Sequence, residues 1–298
     1  MDIEETAAMA KTLGLNMYSL YEYADGAYRS LHLCRSNEKN DVYSVSKSVT
    51  SLILGMLEKE LPIDIEHESV MDVFPDECAV CGQSGWDKVC IKHLLTHTTG
   101  YSGGSLDIDR DDLSSVRYGY LSATLGEKLV YRPGERMVYS DANYYLLSRI
   151  IEKRSGTRLQ DIALARLFRP LGIFGTAWAT CPEGHAMGAT GLFLSVEDMA
   201  KLGVMLLDGG RWNDKQIVPS DWIDRSSASI TSPGGDSPFG YGYGFWNAKV
   251  PGIFWASGMR GQIIYVSRLS GRVIAWQSSD ERPGFSKIIE TLIRDETT

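Results

Sequence analysis

Ser44 and Lys47 are the residues of this sequence whose types and spacing most directly suggest chemistry. If a helix begins at Ser44, residues three apart lie on one face of it, so the Lys47 side chain reaches the Ser44 hydroxyl. A serine hydroxyl is a weak nucleophile at neutral pH, and a lysine desolvated by apolar neighbours can act as its base. The pair therefore predicts the nucleophile of a serine hydrolase.

The segment after Ser44 has the composition of a buried helix. Apolar side chains recur at helical spacing on one side and fill the other side as well, at Val45, Val49, Leu52, Ile53, Leu54, Met56 and Leu57. A helix that is apolar nearly all round lies in the interior of a protein. The free N–H groups of its first turn could also stabilise an oxyanion at Ser44.

Two alternatives compete with this interpretation. Ser36 and Lys39 have the same spacing, but they lie in a polar stretch with no buried helix behind it, which indicates a solvated loop. Ser44 itself could be a helix N-cap, with Lys47 extending from a core helix toward solvent.

A second candidate group is the run from Tyr139 to Asp141, which follows a turn at Pro133 to Glu135 and precedes a predicted helix near Ala142. A tyrosine there can exchange a proton with a serine nucleophile and a leaving group. The alternative is that Asp141 caps the helix and Tyr139 only packs. A third candidate is Trp255 to Gly261, whose small residues at a strand end let a backbone approach a substrate closely.

Three rival motifs are weaker. Gly100 to Gly104 has the spelling of a nucleophile elbow, but a helical stretch precedes it and the polar run from Asp107 to Asp112 follows it, whereas the elbow needs a strand before and a helix after. His93 and His97 are four apart but lack the glutamate of a zinc protease, so core or hydrogen-bonding histidines are favoured. A zinc knuckle of Cys78, Cys81, Cys90 and His93 lacks a second clean ligand pair.

The composition narrows the function classes. The 298 residues carry a net charge of −8 and no basic stripe, so nucleic acid and membranes are not expected partners. The five cysteines do not form a secreted disulfide framework. The acidic N-terminus lacks the features of a signal peptide, and no apolar run has transmembrane length, so a cytoplasmic enzyme without a metal or cofactor is expected.

The elements that must position these residues follow from periodicity. Strands are predicted near both ends of the chain and helices between them. Helices are predicted over 2–13, over 197–207 with Ser195 as the N-cap, and over 285–293. Strands are predicted over 15–23, 27–33, 241–248, 253–256, 262–268 and 273–278. This order predicts an α+β protein whose sheet is built from both termini. We expect residues 1–60 and 186–298 to form the sheet subdomain and residues 61–185 a mostly helical one, with the active site in the cleft between them.

Taken in order, these segments resemble the serine β-lactamase-like superfamily, in the branch of class C β-lactamases, D-alanyl-D-alanine carboxypeptidases and related esterases. The resemblance extends from about residue 15 to 278 and rests on motifs that occur in the family's order: Ser44 to Lys47, Leu94 to Gly100, Pro133 to Glu135 with Tyr139 to Asp141, Gly191 to Met199, Tyr241 to Trp246, and Ser257–Gly258 followed by Gly261–Gln262.

The resemblance implies an antiparallel sheet flanked by helices, with an all-helical subdomain inserted. It implies that Ser44 attacks a carbonyl, that Lys47 and Tyr139 move its proton, and that an acyl-enzyme forms and is hydrolysed. The backbone N–H groups of Ser44 and Met259 would form the oxyanion hole. Substrate contacts are expected from a set of five residues: Asp141, Ala256, Ser257, Gly258 and Arg260.

The sequence departs from the family at two of these positions. Asp141 stands where asparagine is usual, and its carboxylate would favour the charged form of Lys47. Ala256 stands where a lysine or histidine commonly helps to bind a substrate carboxylate, although Arg260 could supply a charge nearby. We therefore predict a hydrolase of small esters or amides, with β-lactamase or D-alanyl-D-alanine carboxypeptidase activity as the alternative. A non-catalytic binding protein that retains the fold is the alternative from another class.

Overall fold

A computed structural model of the chain describes residues 1–34, 38–113, 116, 119–234, 237–280 and 284–297. Ser36, the serine of the second serine–lysine pair, lies outside the described residues. The strands, in chain order, are β1 Met17–Ala24, β2 Ala27–His32, β3 Asn40–Asp41, β4 Ala177–Trp178, β5 Leu192–Leu194, β6 Arg211–Trp212, β7 Lys215–Gln216, β8 Gly240–Tyr241, β9 Trp246–Asn247, β10 Ile253–Gly258, β11 Gln262–Ser267 and β12 Arg272–Ser278.

The helices of the described residues are α1 Ile3–Thr12, α2 Val45–Leu57, α3 Val70–Val73, α4 Pro75–Cys81, α5 Ile91–Leu95, α6 Tyr120–Gly126, α7 Asp141–Ser155, α8 Leu159–Ile162, α9 Val196–Leu207, α10 Ser220–Ser227 and α11 Phe285–Thr297. A π-helical turn continues α8, and a short 3-10 turn over Met259–Gly261 joins β10 to β11. None of these helices combines the length and the apolar character that crossing a bilayer requires.

The main sheet joins the two ends of the chain, as predicted. Seven strands pair in the order β2-β1-β12-β11-β10-β9-β8, and every pairing is antiparallel. The N-terminal hairpin therefore lies beside the last strand, with Leu20 opposite Trp276. The prediction of an α+β protein with an antiparallel sheet flanked by helices is confirmed. The subdomain boundaries at residues 60 and 186 stay a prediction.

Helices cover both faces of this sheet. On one face, α1 and α11 pack through Ile3, Ala10 and Ile288 against alternate strand residues such as Leu20 and Trp276. On the other face, α2 and α9 pack against the remaining strand residues and join a larger core that continues into the helices between residues 61 and 185. Helix α9 has the predicted N-cap, because the Ser195 side chain accepts from the Asp198 N–H. These layers place α2 next to the strand that carries the predicted glycine motif.

The single strand predicted over 241–248 is wrong. The chain there forms two short strands, β8 and β9, separated by a bend. Gly244 lies in this bend with φ of +85°, and a Cβ at that position would come within 3.0 Å of the Lys47 carbonyl oxygen. The bend therefore brings the backbone close to α2, and the aromatic residues of the segment face different surroundings.

Candidate active site

Ser44 lies at the junction between an extended segment and helix α2. The preceding residue, Tyr43, has φ of +47°, and its N–H donates to the Asp41 carboxylate at 2.7 Å. Ser44 itself has helical backbone angles, and its side chain caps no N–H of the helix. Instead, its hydroxyl oxygen accepts from the Lys47 ammonium at 2.9 Å. The N-cap alternative is therefore wrong, and the Ser44 side chain is directed to Lys47.

Lys47 is buried behind Ser44, with about 1% of its side chain exposed. Its Nζ donates to three oxygens: Ser44 Oγ at 2.9 Å, Asp141 Oδ1 at 2.7 Å and the Ala189 carbonyl at 3.0 Å. An ammonium has three N–H donors, so all of them are used. Burial by itself would lower the pKa of Lys47, but the charge of Asp141 and the Tyr139 side chain outweigh burial and raise it. Lys47 is a fixed positive charge beneath the nucleophile.

Tyr139 and Asp141 reach this pair from the other side of the cleft. Ser140 precedes helix α7, and Asp141 is the first residue of that helix, so the alternative in which Asp141 is the N-cap is wrong. Asp141 instead forms the ion pair with Lys47. The Tyr139 ring faces Lys47, with Nζ 4.8 Å from the ring centroid. The structure thus brings together four of the predicted residues, Ser44, Lys47, Tyr139 and Asp141.

Met259 begins the 3-10 turn at the end of β10 and lines the same cleft as Ser44. In the loops and turns of the described residues, the backbone N–H groups of Ser44 and Met259 donate to no backbone acceptor. An oxyanion hole needs backbone N–H donors near the nucleophile, and these two groups are the candidates.

Gly258 permits this arrangement. Its backbone is extended, with φ of −122°, so alanine could adopt the same conformation. A Cβ at Gly258, however, would lie far inside van der Waals contact with the carbonyl oxygen of Val42, two residues before the nucleophile. Only a residue without a side chain lets the end of β10 approach the Ser44 segment this closely.

We expect Gly258→Ala to lower kcat for ester hydrolysis by about 100-fold, because displacing one oxyanion donor costs that much in related sites. Gly103→Ala is the matched control, since a Cβ there meets no atom within 4 Å. Steady-state kinetics measure kcat for both variants, and thermal unfolding checks that both variants fold. Equal kcat values for the two variants would contradict the assigned role of Gly258.

The cleft has a volume of about 570 Å³. Its walls come from both sides of the site: Ser44, Gly104, Ser105, Asp107, Asp109, Arg110, Asp111, Tyr139, Ser140, Asp141, Trp246, Ser257, Gly258 and Met259. Ala256 and Arg260, which the resemblance assigned to substrate binding, are not among them. Ala256 is buried in the core against α2, and the Arg260 guanidinium lies over the Tyr43 ring, 5.6 Å from its centroid.

An acidic loop forms one wall and was missed as part of the site. The carboxylate oxygens of Asp107, Asp109 and Asp141 lie within 4.8 Å of one another. Each already has a protein partner: Asp107 accepts from the Asp109 N–H at 3.1 Å, Asp109 from the Thr190 hydroxyl at 2.6 Å, and Asp141 from Lys47. Burial, together with the charge of Asp141, raises the pKa of Asp107. The run of acids in the sequence was the available signal, but it indicated only a polar loop.

The rival motifs do not assemble. Ser102 is exposed in a bend, with no strand before it. Among the described residues, these three aspartates are the one group of metal-ligand side chains that lies close together, so the proposed cysteine and histidine knuckle is not formed. The His93 ring instead accepts from the Cys90 N–H at 2.9 Å, and burial raises the pKa of Cys78 to about 11.

Comparisons with known proteins concern the family and the fold of the chain. A family model described as Beta-lactamase matches residues 15–297. A Salmonella agona protein provisionally named D-alanyl-D-alanine carboxypeptidase is 24% identical over 302 residues, which span 77% of this chain and 70% of that protein. Penicillin-binding protein 4 of Amycolatopsis lactamdurans is 33% identical over 143 residues, which span 47% of this chain and only 35% of that protein.

The fold has solved counterparts. A Bacillus anthracis structure provisionally named 6-aminohexanoate-dimer hydrolase superimposes with a TM-score of 0.81 at 18% identity, covering 99% of this chain and 81% of that one. At this level of identity the match concerns the fold.

Proposed function

This chain belongs to the β-lactamase family, and from that premise we propose that it cleaves an ester or amide bond through an acyl-enzyme on Ser44. It is a serine hydrolase of the β-lactamase-like family. The observation that carries the proposal is the 2.9 Å hydrogen bond between Lys47 Nζ and Ser44 Oγ, in a cleft that Tyr139 and Met259 also line.

In the proposed reaction, Ser44 Oγ attacks the substrate carbonyl carbon, and the new oxyanion accepts hydrogen bonds from the N–H groups of Ser44 and Met259. All three N–H groups of Lys47 are engaged, so Lys47 contributes positive charge rather than a free lone pair. Tyr139 is then the group that carries the hydroxyl proton to the leaving group. A water molecule hydrolyses the acyl-enzyme by the reverse proton path and returns Ser44 to its starting state.

The experiment that tests this proposal is intact-protein mass spectrometry after incubation with a fluorophosphonate and with a panel of activated esters. A stoichiometric mass increase on the wild-type protein is expected, and the added mass reports the acyl group that the cleft accepts. A folded protein that gains no mass from any probe would support the non-catalytic alternative instead.

The charge of the cleft favours neutral substrates over the carboxylate-bearing β-lactams. Asp107, Asp109 and Asp111 line it, the positive charge of Lys47 is already paired with Asp141, and Arg110 is the remaining cation among the described residues that line the cleft. Ala256 supplies no charge where relatives are expected to place one. A carboxylate near the scissile bond would therefore be repelled.

We expect a p-nitrophenyl ester of a short fatty acid to be cleaved with a kcat/KM about tenfold higher than the matching half-ester of a dicarboxylic acid, and a chromogenic cephalosporin to be slow. Raising the salt concentration should narrow the difference between the two esters, because screening weakens the repulsion. A cephalosporin turned over as fast as the neutral ester would favour the β-lactamase alternative.

A further inference from the structure

His97 is a fully buried residue that the proposed reaction does not use. It follows helix α5 and has φ of +57°, in the left-handed region that non-glycine residues seldom occupy. From this position its backbone and its side chain both face the segment that carries Tyr139.

His97 accepts two hydrogen bonds, one from the residue before Tyr139 and one from the residue after it. The His97 carbonyl oxygen accepts from the N–H of Val138 at 2.8 Å, and its Nδ1 accepts from the N–H of Ser140 at 3.3 Å. The residues immediately before and after Tyr139 are therefore held by the same histidine. Displacement of the Tyr139 backbone would break at least one of these bonds.

The His97 ring also holds the Tyr139 ring. The two rings stack with centroids 4.2 Å apart and an interplanar angle of 30°. Trp246 lies nearly parallel to the same tyrosine ring, at 6.2 Å and 19°. Stacking between these rings leaves Tyr139 little freedom to rotate away from Lys47.

The hydrogen bonds of His97 engage its one imidazole lone pair, so His97 is not assigned a role as a base. Besides the Ser140 N–H, Nδ1 faces the Asn143 amide nitrogen at 3.0 Å, and the Asn143 oxygen accepts from the Thr99 hydroxyl, which fixes the amide orientation. Nδ1 is thus an acceptor, and the proton lies on Nε2, 3.3 Å from the Tyr241 hydroxyl. Burial and the charge of Lys47 hold the pKa of His97 well below its ordinary value.

We propose that His97 is a positioning residue that fixes both the backbone and the ring of Tyr139 against the Ser44–Lys47 pair. This inference rests on the proposed function, because it assigns His97 a role through the proton carrier of that reaction. A positioning role differs from a purely structural role in one respect: substitutions of His97 should slow the reaction only when Tyr139 is present.

The test measures the rate of Ser44 acylation by a fluorophosphonate, and kcat and KM for a p-nitrophenyl ester. His97→Asn tolerates the positive φ but removes the stacked ring, and His97→Phe keeps a ring but removes the acceptor. We expect each to lower the acylation rate and kcat by about 10-fold to 100-fold with KM changed less than about twofold, since small misplacements of a reacting group cost this much.

His93→Asn is the matched control, because His93 lies four residues earlier and, among the described residues, its ring has a hydrogen bond to Cys90 within its own helix cap and none to the segment around Tyr139. This variant should retain wild-type rates. Thermal unfolding of all variants separates loss of fold from loss of rate.

A double-mutant cycle with Tyr139→Phe decides between positioning and structure. If His97 acts through the Tyr139 hydroxyl, His97→Asn lowers the acylation rate of the Tyr139→Phe protein by less than about twofold. An equal effect in both backgrounds, or wild-type rates in folded His97 variants, would overturn the inference while leaving the proposed function intact. A wild-type protein that no probe acylates would overturn both.

Discussion

Ser44→Ala is expected to abolish covalent labelling by a fluorophosphonate and to lower ester hydrolysis by at least about 10³-fold. The Ser44 oxygen is the atom that forms the new bond, and removal of the nucleophile of a serine hydrolase leaves only the contributions of binding and the oxyanion donors. Intact-protein mass and steady-state kinetics measure the two effects. The variant should fold as the wild type does, because the Ser44 hydroxyl caps no helix N–H.

Two other serines provide the controls for this experiment. Ser36→Ala removes the serine of the second serine–lysine pair in the sequence, and Ser102→Ala removes the serine of the elbow-like motif. Both variants should label and turn over as the wild type does. Loss of labelling in either, with retention in Ser44→Ala, would move the nucleophile to that residue and refute the assignment of Ser44.

Much of the fold could be predicted because local patterns decided it. The apolar run from Val45 to Leu57 predicts a buried helix, and in the structure each of its thirteen residues is buried. The strands predicted over 15–23 and 27–33 form the first hairpin, in which Ala24 pairs with Ala27 across the Asp25–Gly26 turn. Strands at both ends of the chain predicted a sheet built from both termini, but the pairing of β1 with β12 joins residues 250 or more positions apart, so local pattern could not fix its register.

The errors arose where tertiary packing overrides local pattern. Alternating aromatic residues predicted one strand over 241–248, but the close approach of Gly244 to α2 bends the chain there. Helix α7 begins at Asp141, one residue earlier than an N-cap role for Asp141 would need, and the Asp141 carboxylate pairs with the buried Lys47 ammonium. His97 lies in the family-like run from Leu94 to Gly100 and was expected to be a core or hydrogen-bonding histidine, but its contacts with the segment around Tyr139, about forty residues later, have no local sequence signal.

Variants of the Lys47–Asp141 ion pair can separate its contribution to catalysis from its contribution to stability. Lys47→Met is expected to lower the acylation rate by at least about 10³-fold and to destabilise the fold by about 3–5 kcal/mol. The stability loss arises because the Asp141 carboxylate, only 9% exposed, is left without its cation. Acylation is lost because the positive charge beneath Ser44 and Tyr139 is removed.

The pH dependence of unfolding tests the same assignment. The pKa of Lys47 in the folded protein is raised above its ordinary value of 10.5. The ion pair therefore stabilises the fold fully below about pH 10.5 and loses this contribution as the pH rises through the folded pKa. We expect the free energy of unfolding of the wild type to fall in this alkaline range, and the contribution from this pair to be absent in Lys47→Met.

The double variant Lys47→Met/Asp141→Asn completes the experiment. It removes both charges, so no unpaired carboxylate remains, and replacing a buried ion pair by neutral side chains of similar size is often close to neutral for stability. We therefore expect most of the lost stability to return in denaturant unfolding while acylation by the fluorophosphonate stays as slow as in Lys47→Met. If acylation returned with stability, Lys47 would be only a structural residue. If stability did not return, the unpaired charge of Asp141 would not be the cause of its loss.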